Sequence, residues 1–61
     1  MKTNEFVRRL KDAGCTLVRH GGGHDKWYSP ITGKSRFVPR HGTKEVPEGL
    51  LKSLTKDLLG L

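Results

Sequence analysis

The chain has little of what small domains use to stabilise themselves or to enter a membrane. Its single cysteine, Cys15, cannot form an internal disulfide, and an unpaired thiol is typical of a reducing compartment. Hydrophobic residues make up only 33% of the sequence, and no run approaches the roughly 18 apolar residues that span a bilayer. We therefore expect one cytoplasmic domain, covering residues 1–61, with a thin hydrophobic core in which Cys15 is buried.

Acidic residues are also scarce. Six Asp and Glu oppose twelve Lys and Arg, which gives a formal net charge of +6. The excess is concentrated in residues 15–44, which hold six basic side chains and one acidic side chain, Asp25. Because a basic surface attracts polyanions and accelerates their encounter, nucleic acid is the first partner to consider. The alternative is a basic surface that only keeps the protein in solution.

Apolar residues with helical spacing predict a first helix near the start of the chain. Phe6 and Leu10 lie four residues apart, so they share one face of a helix of about three turns. Thr3 or Asn4 can cap its first turn, and Gly14 is the expected left-handed residue after its end.

Three strand-like segments follow, at residues 15–20, 24–29 and 35–39, and their short connections predict an antiparallel meander. Pro47 then fits the first position of a second helix, in which leucines repeat every four residues and which Gly60 is placed to end. The predicted fold class is therefore α+β. Its elements are a helix, three antiparallel strands and a helix, with both helices packed on one face of the sheet.

Alternation along the strands predicts one buried face and one polar face. We expect Trp27 and Phe37 to pack towards the helices, which would turn Val38 outward. The outward face would then carry a histidine, a lysine, a tyrosine and two arginines: His24, Lys26, Tyr28, Arg36 and Arg40. Cations for phosphates and a ring for base stacking are typical of an RNA-binding surface. The alternatives are charges that discourage edge pairing and a tyrosine that only packs on the sheet.

A run of three glycines, with a histidine at each end, joins the first two strands at residues 20–24. Glycine lets a backbone approach a ligand closely, and the N–H groups of Gly22 and Gly23 can line a phosphate site. Cleavage of RNA by its own 2′-hydroxyl needs a base for the hydroxyl proton and a cation for the charge on phosphorus. His24 and Lys26 are the candidates for these two roles. A flexible hairpin with a surface histidine is the structural alternative.

Zinc binding by the three histidines, His20, His24 and His41, is a further alternative. The chain has no helical His-x-x-x-His pair with a neighbouring glutamate and no cysteine pair, so we expect no metal site.

Several short motifs carry a family resemblance by their order. The opening helix ends at Gly14, Arg19 lies in the first strand, and a glycine turn precedes His24. Val-Pro-Arg-His-Gly at residues 38–42 and Leu-Leu-Gly-Leu at the end of the second helix complete the pattern. In this order and spacing the residues resemble the HicA family, toxins of bacterial and archaeal toxin–antitoxin pairs that act as mRNA interferases.

The resemblance implies a fold like the double-stranded RNA-binding domain and an endoribonuclease that cleaves mRNA without metal or cofactor. It places the catalytic role on His24 and implies inhibition by a HicB-type antitoxin that covers this site. The family often has serine before this histidine, whereas this chain has Gly23. His41 follows the family's pattern without an assigned role, His20 matches no motif residue, and the general acid is unassigned.

Two other functions use the same residues differently. A non-catalytic RNA-binding module would use the same basic face, although the second helix begins Pro47-Glu48-Gly49, which is poor in lysine for grasping a duplex. A small adaptor that docks on an acidic protein would need only the charge, and it would leave the glycine turn and His24 unexplained.

Overall fold

The computed structural model describes residues 1–40 and 42–61, so the open question about His41 falls outside the described residues. The chain forms a helix, three strands and a second helix, which confirms the predicted α+β order. The elements are α1 (Thr3–Asp12), β1 (Thr16–His20), β2 (His24–Tyr28), β3 (Ser35–Pro39) and α2 (Glu48–Leu54), the last continuing as a π-helical turn, Thr55–Leu59. None of the described helices has the length and apolar character needed to cross a bilayer.

Helix α1 begins without the predicted side-chain cap. Lys2 is the N-cap residue, so the expectation that Thr3 or Asn4 caps the helix was wrong. The reason lies in a distant segment: the N–H groups of Thr3 and Asn4 donate to the carbonyls of Lys44 at 2.9 Å and Gly42 at 3.0 Å. Backbone acceptors from another part of the chain thus satisfy donors that a local cap would otherwise bond.

The two glycines predicted to end the helices are confirmed in that role. Gly14 follows α1 with a φ of 89°, and Gly60 follows the π-helical turn with a φ of 74°. Pro47 was predicted to be the first residue of the second helix, but it is the N-cap, one residue before α2 begins at Glu48. Side chains bond the last carbonyls of this helix: the Ser29 hydroxyl donates to the Leu58 carbonyl at 2.5 Å.

The sheet has the strand order β1-β2-β3, with both pairs antiparallel. The β1–β2 register is irregular between Leu17, which lies opposite Trp27, and Arg19, which lies opposite Lys26. A bulge that gives one strand an extra residue shifts the alternation of everything after it. Arg19 therefore lies on the same face as Lys26 rather than on the opposite one.

The core lies between the two helices and one face of the sheet. Its buried residues come from every element except β1, and they are Phe6, Leu10, Cys15, Trp27, Val38, Val46, Leu54 and Leu58. The expected burial of Trp27 and Cys15 is confirmed.

The predicted orientation of β3 is wrong. Val38 is 1% exposed and belongs to the core, whereas Phe37 is 50% exposed. The register explains this reversal, because Phe37 lies opposite the outward-facing Lys26 and Val38 lies opposite Asp25. Directly opposed residues of an antiparallel pair share a face, so β2 determines the alternation of β3.

Candidate active site

Strand β2 presents three of the predicted site residues on one side. Trp27 and Ser29 are buried beneath the helices, so the alternating residues His24, Lys26 and Tyr28 point to the opposite side of the sheet. This orientation agrees with the prediction. Lys26 Nζ lies 5.9 Å from the centroid of the Phe37 ring, which places the lysine over the neighbouring strand.

We call the helix-free side of the sheet the open face. The register assigns eight strand residues to it, and none of them is acidic: Thr16, Arg19, His24, Lys26, Tyr28, Ser35, Phe37 and Pro39. A surface with two cations, one imidazole and no opposing carboxylate among its strand residues is suited to an anionic ligand. Sequence reasoning left Arg19 and Phe37 out of the predicted site. The basic character of Arg19 was visible in the sequence, but the bulge that orients it was not.

Arg36 does not lie on the open face, contrary to the prediction. It lies opposite Trp27 and faces the helices, where its Nη1 donates to Ser53 Oγ at 3.0 Å and to Asp57 Oδ2. Lys34 Nζ lies 3.5 Å from the other Asp57 oxygen. The hydrogen bond from Arg36, followed by the charge of Lys34, holds the pKa of Asp57 below its usual value. Arg36 thus links β3 to the end of the second helix.

Arg40 also departs from its predicted position, because it reaches around the glycine turn. Its Nε donates to Asp25 Oδ1 at 2.9 Å, and its Nη2 donates to the Gly21 carbonyl at 2.5 Å. Its backbone N–H donates to the Gly23 carbonyl at 3.0 Å. Arg40 therefore holds both sides of the turn from the face that Asp25 shares with Trp27.

The two histidines at the ends of the glycine run lie on opposite faces. His20 lies opposite Asp25, and its Nδ1 is 2.8 Å from Asp25 Oδ1. The pKa of Asp25 is lowered, mainly by the hydrogen bond from His20 and further by Arg40. His24, by contrast, is exposed on the open face next to the turn. The two rings are therefore available for different roles.

The backbone geometry of the turn favours glycine at two of its three glycine positions. The Gly21 N–H donates to the His24 carbonyl at 2.6 Å, and a Cβ on Gly21 would lie 2.8 Å from that carbonyl oxygen. Gly23 has a φ of 87°, in the left-handed region that side chains rarely adopt. Gly22 meets no such restriction, since a Cβ there would contact nothing within 4 Å. A tight approach and a left-handed residue thus deliver the chain into β2 directly at His24.

Comparison with known proteins gives one consistent result. The family model described as "HicA toxin of bacterial toxin-antitoxin" matches residues 3–59. The "Probable mRNA interferase HicA" of Pseudomonas fluorescens (strain Pf0-1) is 45% identical over 58 residues, covering 95% of this chain and 93% of the relative. The "Probable mRNA interferase HicA 2" of Photorhabdus laumondii subsp. laumondii is 41% identical over 56 residues, covering 92% and 91%. The chain belongs to the HicA toxin family.

The HicA match includes all three strands, both helices and the glycine turn, so the open face lies entirely within the family region. No solved structure matches the chain at a comparable level of significance. In residues 1–40 and 42–61, no group of three His, Cys, Asp or Glu side chains is placed to hold a metal ion. The zinc alternative that includes His41 falls outside the described residues.

Proposed function

We propose that this HicA-family chain is an mRNA interferase, a metal-independent endoribonuclease that uses His24 as its acid–base group. The observation that carries the proposal is the position of His24. It is exposed on a face without strand carboxylates, and Lys26 lies two residues along the same strand. Residues two apart on a strand are about 7 Å apart, close enough for both to reach one ribose–phosphate unit. Both relatives are named as probable mRNA interferases, which supports the same activity.

The proposed reaction uses the nucleophile that RNA itself carries. His24 accepts the proton of the 2′-hydroxyl as that oxygen bonds to phosphorus, and the bond from phosphorus to the 5′-oxygen breaks. The leaving oxygen takes a proton from the imidazolium or from a water molecule that the imidazolium bonds. The products are a 2′,3′-cyclic phosphate and a 5′-hydroxyl, so no metal or cofactor enters the balance. An imidazole suits both steps because its unperturbed pKa of about 6.5 lies near neutrality.

Phosphate binding in this proposal rests mainly on Lys26, with Arg19 directly opposite it and the backbone of Gly22 and Gly23 beside His24. Cations near phosphorus stabilise the charge that develops as the 2′-oxygen attacks. Tyr28 offers a ring for an adjacent base on the same face. The direct phosphate contacts predicted for Arg36 and Arg40 from the sequence are untested. Because both guanidinium groups already donate to acceptors within the protein, we propose Lys26 and Arg19 as the main phosphate-binding side chains.

The proposed protein partner is a HicB-type antitoxin that inhibits cleavage by covering the open face. A basic face with an exposed imidazole calls for an acidic, shape-complementary cover, because an occupied face cannot admit RNA. The second candidate function is a non-catalytic RNA-binding module, which the same cations of the open face would support.

The decisive experiment compares the two histidines that border the glycine turn. Purified wild-type protein, His24→Ala and the matched control His20→Ala are incubated with end-labelled single-stranded RNA in EDTA. We expect wild type and His20→Ala to release fragments ending in 2′,3′-cyclic phosphate, and His24→Ala to lose cleavage by about 10²–10⁴-fold. Circular dichroism and thermal unfolding verify that each variant is folded.

Unchanged cleavage by folded His24→Ala would reject the catalytic assignment. A mobility shift by the wild type without fragments would favour the RNA-binding module. Cleavage that depends on an added metal ion, and that EDTA abolishes, would contradict metal independence.

A further inference from the structure

Phe37 is exposed where a small core should bury it. The chain has two phenylalanines, one tyrosine and one tryptophan, and the core uses Phe6 and Trp27. Phe37 is 50% exposed and Tyr28 is 39% exposed, both on the open face. Half of the aromatic side chains of a protein with a thin core therefore lie on its helix-free surface. Unlike tyrosine, phenylalanine has no polar group that can hydrogen-bond to water, so hydration does not offset the exposure of the Phe37 ring.

The register places this ring in a row of cations across the sheet. Arg19 lies opposite Lys26, and Lys26 lies opposite Phe37, so the row runs from β1 to β3. Tyr28 is opposite Ser35, which makes it the diagonal neighbour of Phe37, at a separation of about 7–8 Å. Two rings thus flank a lysine on a face whose strand residues include no carboxylate.

We propose that Phe37 stacks on an unpaired nucleobase and that the open face thereby selects single-stranded RNA over duplex RNA. The inference rests on the proposed function, because it names the form of RNA that reaches His24. Stacking on an exposed ring requires a base whose face is free, and bases in an A-form duplex are already stacked on their neighbours. Cations that contact phosphates, next to rings that contact bases, are the arrangement that single-strand binders share.

The positive charge around Phe37 favours RNA over a protein as the ligand of the open face. An apolar ring alone could equally contact a protein, but Lys26 lies over the Phe37 ring at 5.9 Å and Arg19 continues the row. A base stacked on Phe37 would have its phosphate within reach of the lysine. Phe37 is therefore a substrate-binding residue in this proposal, and it takes no part in proton transfer.

The test uses RNA that cannot be cleaved, so that binding is measured apart from catalysis. The probes are a 2′-O-methyl single strand, which lacks the nucleophile, and the same sequence in a blunt 2′-O-methyl duplex. The variants are Phe37→Leu, which keeps an apolar side chain without a ring, and Phe37→Trp, which keeps a ring. Ile31→Ala is the matched control, because Ile31 is 54% exposed but lies in the β2–β3 connection, away from the open face.

We expect Phe37→Leu to weaken binding of the single strand about tenfold, within the range measured for single base–aromatic stacks. Phe37→Trp and Ile31→Ala should bind like wild type, and the fluorescence of the new tryptophan should be quenched by the single strand. The native Trp27 is buried and provides the wild-type background. Wild type should bind the duplex more weakly, and Phe37→Leu should leave that weaker binding unchanged.

Equal single-strand affinities for wild type and folded Phe37→Leu would overturn the proposal. The exposed ring would then be assigned to a contact with a protein instead of RNA. Tighter binding of the duplex by wild type would overturn the single-strand selectivity. If the wild type itself cleaves no RNA but Phe37→Leu still loses affinity for the 2′-O-methyl strand, the endoribonuclease proposal fails while the stacking proposal stands.

Discussion

The guanidinium of Arg40 donates to the carbonyl of Gly21 at 2.5 Å, although Arg40 belongs to the segment after β3 and Gly21 to the turn after β1. The same side chain bonds Asp25, and the Arg40 N–H bonds the Gly23 carbonyl at 3.0 Å. Because both turn carbonyls have a partner from one residue, the path of the chain into His24 is fixed from the face opposite the proposed substrate. Arg40 is on this basis a positioning residue.

We predict that Arg40→Ala lowers the rate of RNA cleavage about tenfold to a hundredfold, since small displacements of a reacting group have effects of that size. KM and the affinity for 2′-O-methyl RNA should change little, because Arg40 is not on the open face. Arg40→Lys separates positioning from a direct phosphate contact. A lysine keeps the charge but lacks the planar fork that bonds two acceptors, so it should not restore kcat. Full rescue by lysine, or a loss confined to KM, would indicate a phosphate contact instead.

Acid should destabilise the fold through Asp57. The hydrogen bond from Arg36 lowers the pKa of Asp57 in the folded protein from the ordinary value of 3.8. A carboxyl whose pKa is lower in the folded state stabilises that state above the unfolded pKa, and this stabilisation is lost as pH falls through the folded pKa. The pKa values of Asp25 and Glu45 are lowered as well, so they act in the same direction.

We therefore expect the thermal unfolding midpoint to be nearly constant from pH 7 to about pH 5 and to fall below about pH 4. Asp57→Asn should lower the midpoint at neutral pH and make the acid decline shallower. Asp12→Asn is the control, since Asp12 is exposed near the end of α1. If the midpoint of Asp57→Asn follows the wild-type pH dependence in parallel, the ion pair with Arg36 contributes nothing to it.

The boundaries of the elements could be predicted closely from local signals. Gly14 and Gly60 end helices, and the glycine run and the loop before Ser35 separate the strands as expected. The burial of Trp27 also gave the correct orientation of β2. These features depend on residues within a few positions of each other, which is why a sequence pattern can specify them.

The orientation of β3 could not be obtained in this way. Phe37 and Val38 are adjacent and both apolar, so alternation alone allows either to face the helices, and only the pairing with β2 decides. The hydrogen-bond partners of Arg36 and Arg40 could not be predicted from local sequence either. Arg36 meets Asp57 at a separation of 21 residues, and Arg40 meets Gly21 at a separation of 19. A count of charges along the chain contains no information about such long-range pairs.

Lys26 and Arg36, which were both predicted to lie on the outward face, should differ in the salt dependence of RNA binding. Lys26 is on the open face, and removing one cation that binds a phosphate should reduce the slope of log K against log salt by about 0.7 for a single strand. Lys26→Ala should therefore bind 2′-O-methyl RNA more weakly at low salt and show the smaller slope. Arg36→Ala should keep the wild-type slope and instead unfold at lower temperature, because it breaks the bonds to Ser53 and Asp57. Lys52→Ala, an exposed lysine of α2, should change neither quantity. A smaller slope for Arg36→Ala with unchanged stability would mean that its guanidinium leaves Asp57 to bind RNA.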